Sequence, residues 1–332
     1  MLFKFKYSTW KPNHSTLRTV IAELEAIHSL ALTHGLSSVR ADLGTLNTFL
    51  AANPKARAVR TALIQHLHAH RPELTYLLEH LPAVEPRFRG PATRERVRLH
   101  DGVTQVRQGQ LGDCWLIATL AACENVKPGF TASLIEHGPH TNSPHAAHTA
   151  SVRLHSPWPR TVAVTRWVPC RHRAGDNRLG ANNASLVEKA VASLVHSYVR
   201  IQFNFAGTAL WLLTGTWCPA RPVPRDLGVV QEWLAGGRPV VASTLIHRRG
   251  ARRLPREDHP DRWVGVMAGH VYVVREVLRC DEDGRAGDDA TWRVHVHNPL
   301  GGAEGEPRRT DLFLSAAQFK RAFLSVNAGP VL

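Results

Sequence analysis

The hydrophobic period of this chain changes once, near residue 102, and that change bounds what it can fold into. Before it, apolar residues recur at helical spacing; after it, short β-branched runs alternate with helical ones. Ser15 can cap a segment carrying Leu17, Val20, Ile21, Leu24 and Ile27, which Gly35 stops. Ser38 can cap a second, with Val39, Leu43, Leu46 and Leu50 on one face. Asn53-Pro54, a cap followed by proline at the first helical position, opens a third with Val59, Leu63, Ile64 and Leu67. Pro72 starts a fourth, with Leu74, Leu77 and Leu78. Residues 1–81 therefore read as a small all-α module, and the Pro-, Gly- and Arg-rich residues 82–101 as a linker. Residues 102–332 read as an α+β domain, with strands at 151–154, 161–168, 239–244, 271–278 and 292–297 and helices at 114–124, 185–200 and 227–236.

Of the 332 residues, 43% are hydrophobic and 20% charged, which excludes wholesale disorder. The net charge is +14, and 34 of the 41 basic residues are arginine. That balance fits an anionic partner, and equally the arginine bias of a GC-rich genome. A nucleic-acid partner is not expected, because the basic residues are not interleaved with aromatics and no helix-turn-helix or finger motif is present. Five cysteines, an odd number thinly spread, argue against a disulfide framework and for a reducing compartment. The N-terminus is too polar for a signal peptide, so the expectation is a cytoplasmic protein, or one exported without a classical signal. The longest uncharged stretch, 201–220, is broken by Gln202, Asn204, Gly and Pro, and reads as buried core rather than a membrane span.

The most informative segment is Gln108 to Trp115, QGQLGDCW, followed by the apolar helical run LIATLAAC. It places Cys114 at a helix N-terminus, where the macrodipole favours a thiolate and backbone N–H groups can stabilise an oxyanion. Gln108, across the turn, can supply a second donor. The bland reading of Cys114 is a small buried hydrophobe. A nucleophilic cysteine needs a base, and the base needs an orienter. His270 lies 156 residues downstream in AGHVYVV, and Asn298 a further 28 in HVHNPLGG. Order and spacing are similar to those of papain-type proteases.

These three motifs resemble the catalytic core of calpain-type cysteine proteases. TVAVTRWVP (161–169), SLVEKAVASLVHSY (185–198), ALWLLTGT (209–216) and FLSAAQFKRAF (313–323) are similar to further stretches of that family, in the family's order, so the resemblance covers about residues 102–328. It implies a papain-like fold of two lobes, one mostly helical with Cys114 and one mostly strands with His270 and Asn298. It implies Cys114 as nucleophile, His270 as base and then acid, and Asn298 as orienter. Gln108 and the Cys114 backbone N–H would form the oxyanion hole. The reaction implied is endopeptide hydrolysis through a thioester, on protein or peptide substrates. Where the family usually carries Trp, two residues after the asparagine, this chain has Leu300, which keeps an apolar shield without the aromatic wall. Animal calpains bind Ca²⁺ through carboxylates near the motifs. Here an acidic position nine before the cysteine is Gln105, and Glu188, Glu304 and Asp311 leave about one carboxylate per site. That is too little charge for a hard divalent ion, so no cofactor and no Ca²⁺ requirement are expected.

Other features carry weaker readings. His137, His140, His145 and His148 sit in a Pro- and Gly-rich stretch and read as a surface loop rather than a metal site. His295 and His297 share a strand face beside Asn298. Cys123, Cys170, Cys218 and Cys280 lack a base motif. The basic run 247–258 precedes His270, and Arg248, Arg249, Gly269 and Leu300 are candidate substrate contacts. The helical module is a candidate docking, inhibitory or stabilising element. Two rival functions remain: a catalytically weak or inactive calpain-fold binding protein, and another Cys–His–acid enzyme of the transglutaminase type. The intact Cys114, His270, Asn298 and Gln108 weigh against the first, and Asn rather than Asp at 298 against the second.

Overall fold

The structure, a computed structural model, describes residues 14–52, 56–88, 94–97, 104–136, 148–156, 158–170, 180–244, 251–255, 263–280, 291–300 and 311–332. Its N-terminal part holds α1 (His14–His34), α2 (Arg40–Ala52) and α3 (Ala56–His70), followed by 3₁₀ segments at Pro72–His80 and Pro82–Val84. The apolar residues expected on the inner faces are the ones that form its core, from Val20, Leu24 and Ile27 to Leu74, Leu77 and Leu78. Two of the expected caps differ, and the third, Asn53-Pro54, lies outside the described residues. The first helix begins at His14, so Ser15 lies inside it, and Ser38 Oγ donates to the Gly35 carbonyl while α2 starts at Arg40. The Pro72 segment winds with three residues per turn, which stacks Leu74 and Leu77 on one edge.

The larger part follows as β1 (Arg94–Arg96), α4 (Cys114–Val126), α5 (Phe130–Ser133), β2 (Ile135–Glu136), β3 (Thr149–His155), β4 (Pro159–Thr165), β5 (Trp167–Pro169), α6 (Asn183–Leu194) and α7 (Ala206–Thr214). It continues with β6 (Arg221–Pro222), α8 (Gly228–Ala235), β7 (Val240–Thr244), β8 (Ala251–Pro255), β9 (Trp263–Met267), β10 (Val271–Cys280), β11 (Thr291–His297), β12 (Asp311–Ser315), α9 (Ala316–Ala322) and β13 (Phe323–Ala328). This is an α+β chain. Among the described residues the largest sheet is antiparallel, in the order β12-β11-β10-β7-β13-β6, and a smaller one runs β2-β3-β4.

The centre of the large sheet, β7 and the start of β10, is buried on both faces, and its alternation shows it. Val271 and Val273 join the core built on α4, α6 and α7, while Tyr272 and Val274 join the core under α8 and α9. Helix α4 is buried almost all round, which suits a central element. Its one buried acid, Glu124, is satisfied: its oxygens accept from the Gly129 and Thr131 N–H groups (2.6 and 2.8 Å) and from Thr131 Oγ1 (2.6 Å).

The N-terminal part is fastened to β3, β4 and α6 by polar contacts. His68 Nδ1 meets Thr149 Oγ1 at 2.9 Å, the Ala163 N–H donates to Gln65 Oε1 at 3.1 Å, and His148 pairs with Glu79. Glu85, in the segment expected to be a linker, pairs with Lys189 of α6 at 2.5 Å and accepts from Thr165 Oγ1. In the same segment β1 pairs antiparallel with β5. Ala163 of β4 is itself part of the N-terminal core. The stretch 201–220 differs from the uniformly buried run expected: α7 is buried, but Phe203, Phe205 and Trp217 are exposed. No helix among the described residues is long and apolar enough to cross a membrane.

Candidate active site

Cys114 is the first residue of α4, and Asp113 is its N-cap without a side-chain capping bond. The Asp113 carboxyl is buried instead, close enough to Glu188 of α6 and to the Gln108 side chain for both to act on its charge. Asp113 and Glu188 are both fully buried. Two such carboxyls in contact must share a proton, because two buried like charges cannot both persist. Burial pushes Asp113 up to about 6, against the opposing influence of Glu188, its own backbone N–H and Gln108. With the carboxyl turned away, the N–H groups of Cys114 and Trp115 stay directed at the thiol.

His270 is buried and precedes β10 in a turn where Gly269 has φ +62°. A side chain at Gly269 would be strained, so the turn that presents His270 needs glycine there. Thr244, at the end of β7, holds the His270 backbone on both sides. Its Oγ1 accepts from the His270 N–H at 2.9 Å and donates to the Met267 carbonyl at 2.7 Å, while its own N–H donates to the His270 carbonyl at 2.9 Å. Tyr272 packs edge-on against the imidazole, ring centroids 5.1 Å apart.

Asn298 follows the last residue of β11. Its Oδ1 accepts from His270 Nε2 at 2.8 Å and from the Leu300 N–H at 3.0 Å. The Leu300 N–H can only donate, so the oxygen of the amide faces the ring and Nε2 carries the proton. Nδ1 is then the ring nitrogen left for the thiol. The Cys114 thiol accepts from the N–H of Val271, the residue next to His270. Cys114, His270 and Asn298 are thus brought to one place from α4, the head of β10 and the end of β11.

Gln108 is buried beside them. Its N–H donates to the Pro299 carbonyl at 2.7 Å, tying the cysteine turn to the asparagine turn, and its Nε2 donates to the Leu111 carbonyl at 2.6 Å. That bond uses one of the two Nε2 hydrogens and leaves the other for an oxyanion. Arg248 and Arg249 lie outside the described residues, as do His137, His140, His145 and Glu304.

The thiolate expected from the helix terminus meets an opposing effect. Burial pushes the Cys114 thiol above its ordinary value of 9.0; the Val271 N–H opposes this, the Asp113 charge adds to it, and the Trp115 and Cys114 N–H groups oppose it. Burial likewise holds His270 below 6.5, against its bond to Asn298. At neutral pH the proton therefore rests on sulfur and the imidazole is a neutral base. The rate of Cys114 alkylation by iodoacetamide should climb about tenfold per pH unit through neutrality, with an inflection above pH 9. Asp113→Asn should move that inflection down. A plateau already reached at pH 7 contradicts this.

Thr244, Val271 and the Asp113–Glu188 contact were not marked as site residues by the sequence. Thr244 closes the β-branched run at 239–244, and Glu188 lies in the LVEK helix, but nothing local signals what either touches.

Residues 94–310 match the model of the calpain family of cysteine proteases, and the chain belongs to that family of hydrolases. It is also similar to the calpain-type cysteine protease DEK1 of Arabidopsis thaliana, 28% identical over 189 residues, which is 54% of this chain and 8% of that protein. The chain thus matches a small part of that relative's length.

Proposed function

We propose that this chain is a cysteine endopeptidase that cleaves peptide bonds with Cys114, His270 and Asn298, on a papain-like frame of two lobes. The observation that carries the reading is the 2.8 Å bond from His270 Nε2 to Asn298 Oδ1, beside a cysteine that heads a helix and meets the Val271 N–H. The two lobes correspond to the core on α4, α6 and α7 and the core under α8 and α9.

In the acylation step the thiol proton passes to His270 Nδ1 as sulfur bonds to the scissile carbonyl carbon. The oxygen takes the negative charge, facing the Cys114 N–H and the Gln108 amide. The C–N bond then breaks, the leaving amine takes the proton from the imidazolium, and a thioester remains. Water attacks the thioester, its proton going to His270, and the thiol is restored as the acid product leaves. Throughout, the Nε2–H bond to Asn298 Oδ1 holds the ring.

The carboxylates near the family's Ca²⁺ positions do not fit that ion. Asp311 already accepts from His295 Nε2 at 2.8 Å and His297 Nδ1 at 3.0 Å, and pairs with Arg275 at 3.4 Å. Despite the cost of its partial burial, the two histidine bonds and the Arg275 charge pull Asp311 down to about 2. Glu188 is spent on Asp113, and Gln105 carries no charge. A hard cation wanting six to eight oxygens would have to displace Arg275, and among the described residues Asp311 is the carboxylate it would gain there. Cleavage of casein should therefore proceed at full rate in EGTA. Complete loss in EGTA, restored by Ca²⁺, would contradict Ca²⁺ independence. The substrates are proteins or peptides. The N-terminal helices are a brace, through the Glu85–Lys189 pair, and a candidate docking or inhibitory element.

A further inference from the structure

We infer that Phe203 is a specificity-determining residue, an aromatic shelf for a large apolar side chain of the peptide substrate; the inference rests on the endopeptidase reading above. Phe203 is 82% exposed, among the largest exposures of any large hydrophobic residue described. Its backbone has φ +58°, a left-handed conformation that is a genuine outlier for a bulky residue. Such strain persists only where the surroundings over-determine it, and here three bonds do so. The Phe203 N–H donates to the Gly112 carbonyl at 2.8 Å, the Gly112 N–H donates to Gln202 Oε1 at 3.3 Å, and Trp115 Nε1 donates to the Ile201 carbonyl at 2.7 Å. Residues 201–203 are thereby clamped to the turn that carries Cys114.

The ring lies against Gly112. A Cβ added there would meet Phe203 Cε1 at 3.0 Å and Cζ at 3.1 Å, so the glycine two residues before Cys114 leaves room for the shelf. Two residues of chain span at most about 7 Å. An extended substrate also advances about 7 Å in two residues. A peptide with its scissile carbonyl at Cys114 therefore passes a side chain over Phe203 within one or two residues of the cleaved bond. Phe205, two residues further on, is also exposed, at 64%. An aromatic ring fixed in solvent beside the nucleophile serves no core, and an apolar side chain laid on it is removed from water.

The test compares kcat/KM for two series of quenched-fluorescent peptides, with Leu or Phe against Ser scanned through the three positions on each side of the cut. Wild-type protein should prefer the apolar residue at one of these positions. In Phe203→Ala and Phe203→Gly that preference ratio should fall about tenfold, with Phe203→Leu intermediate. Phe203→Gly should melt at or above the wild-type temperature, because glycine accepts the positive φ without strain. An unchanged ratio, or an equal loss on both peptides, overturns the shelf while leaving the peptidase reading intact. No cleavage of any peptide by the wild type overturns the peptidase reading and the shelf with it.

Discussion

Replacing His270 by alanine is expected to lower kcat for peptide cleavage by about four to six orders of magnitude. The reason is the protonation state of the resting site. With the thiol raised and the imidazole lowered by burial, few molecules carry a thiolate at neutral pH. The base must take the proton at the moment of attack, and among the described residues His270, its Nε2 held by Asn298, is the base placed to do so. Asn298→Ala should cost less, because it removes the group that sets the tautomer and leaves the ring in place through Thr244 and Tyr272. Steady-state kinetics on a single peptide, with melting temperatures as a check on folding, measure both. A His270→Ala protein within tenfold of wild type contradicts the account.

The second large effect is on stability. Lys189 is 1% exposed and Glu85 13% at the side chain, and their ion pair joins the N-terminal part to α6. Lys189 Nζ also donates to the Thr165 carbonyl at 3.0 Å, to Thr165 Oγ1 at 2.6 Å and to the Trp167 carbonyl at 2.5 Å. Burial presses the lysine towards its neutral form, and Glu85 is the charge that opposes this. Glu85→Ala leaves a buried ammonium without its counter-charge, which should cost about 3–5 kcal/mol. Denaturant unfolding reads this directly. Removing residues 1–88 takes away Glu85 and uncovers Ala163 on β4, so the shortened chain should be less stable rather than faster. A stable, more active truncated protein would instead make the helices an inhibitory segment.

The pattern of what could be read from the sequence follows from physics. Apolar periodicity placed Leu24, Leu43, Leu63 and Leu77 inside, and these are fully or almost fully buried, because burial of a face repeats along a helix and leaves a trace every three or four residues. The strands behind Val240, Val271 and Val294 were visible for the same reason at a period of two. The site was legible because a turn, a cysteine and a helix are adjacent in the chain, and because Asn298 follows a strand end. Contacts between distant elements leave no such trace. Nothing local in the sequence says that Asp113 meets Glu188, that Glu85 meets Lys189, or that Gln108 spends its amide on Leu111. The balance at the thiol is of the same kind: a helix terminus is a local feature, whereas the burial that opposes it depends on β10 folding over Cys114.

The most direct test of the central claim is labelling with an epoxide thiol inhibitor, followed by peptide mapping by mass spectrometry and a cleavage assay, on wild-type and Cys114→Ala protein. The account predicts one modified residue, Cys114, with loss of cleavage in step with labelling, and neither labelling nor cleavage in Cys114→Ala. Cleavage that survives the substitution, or labelling confined to Cys123, Cys170, Cys218 or Cys280, contradicts it.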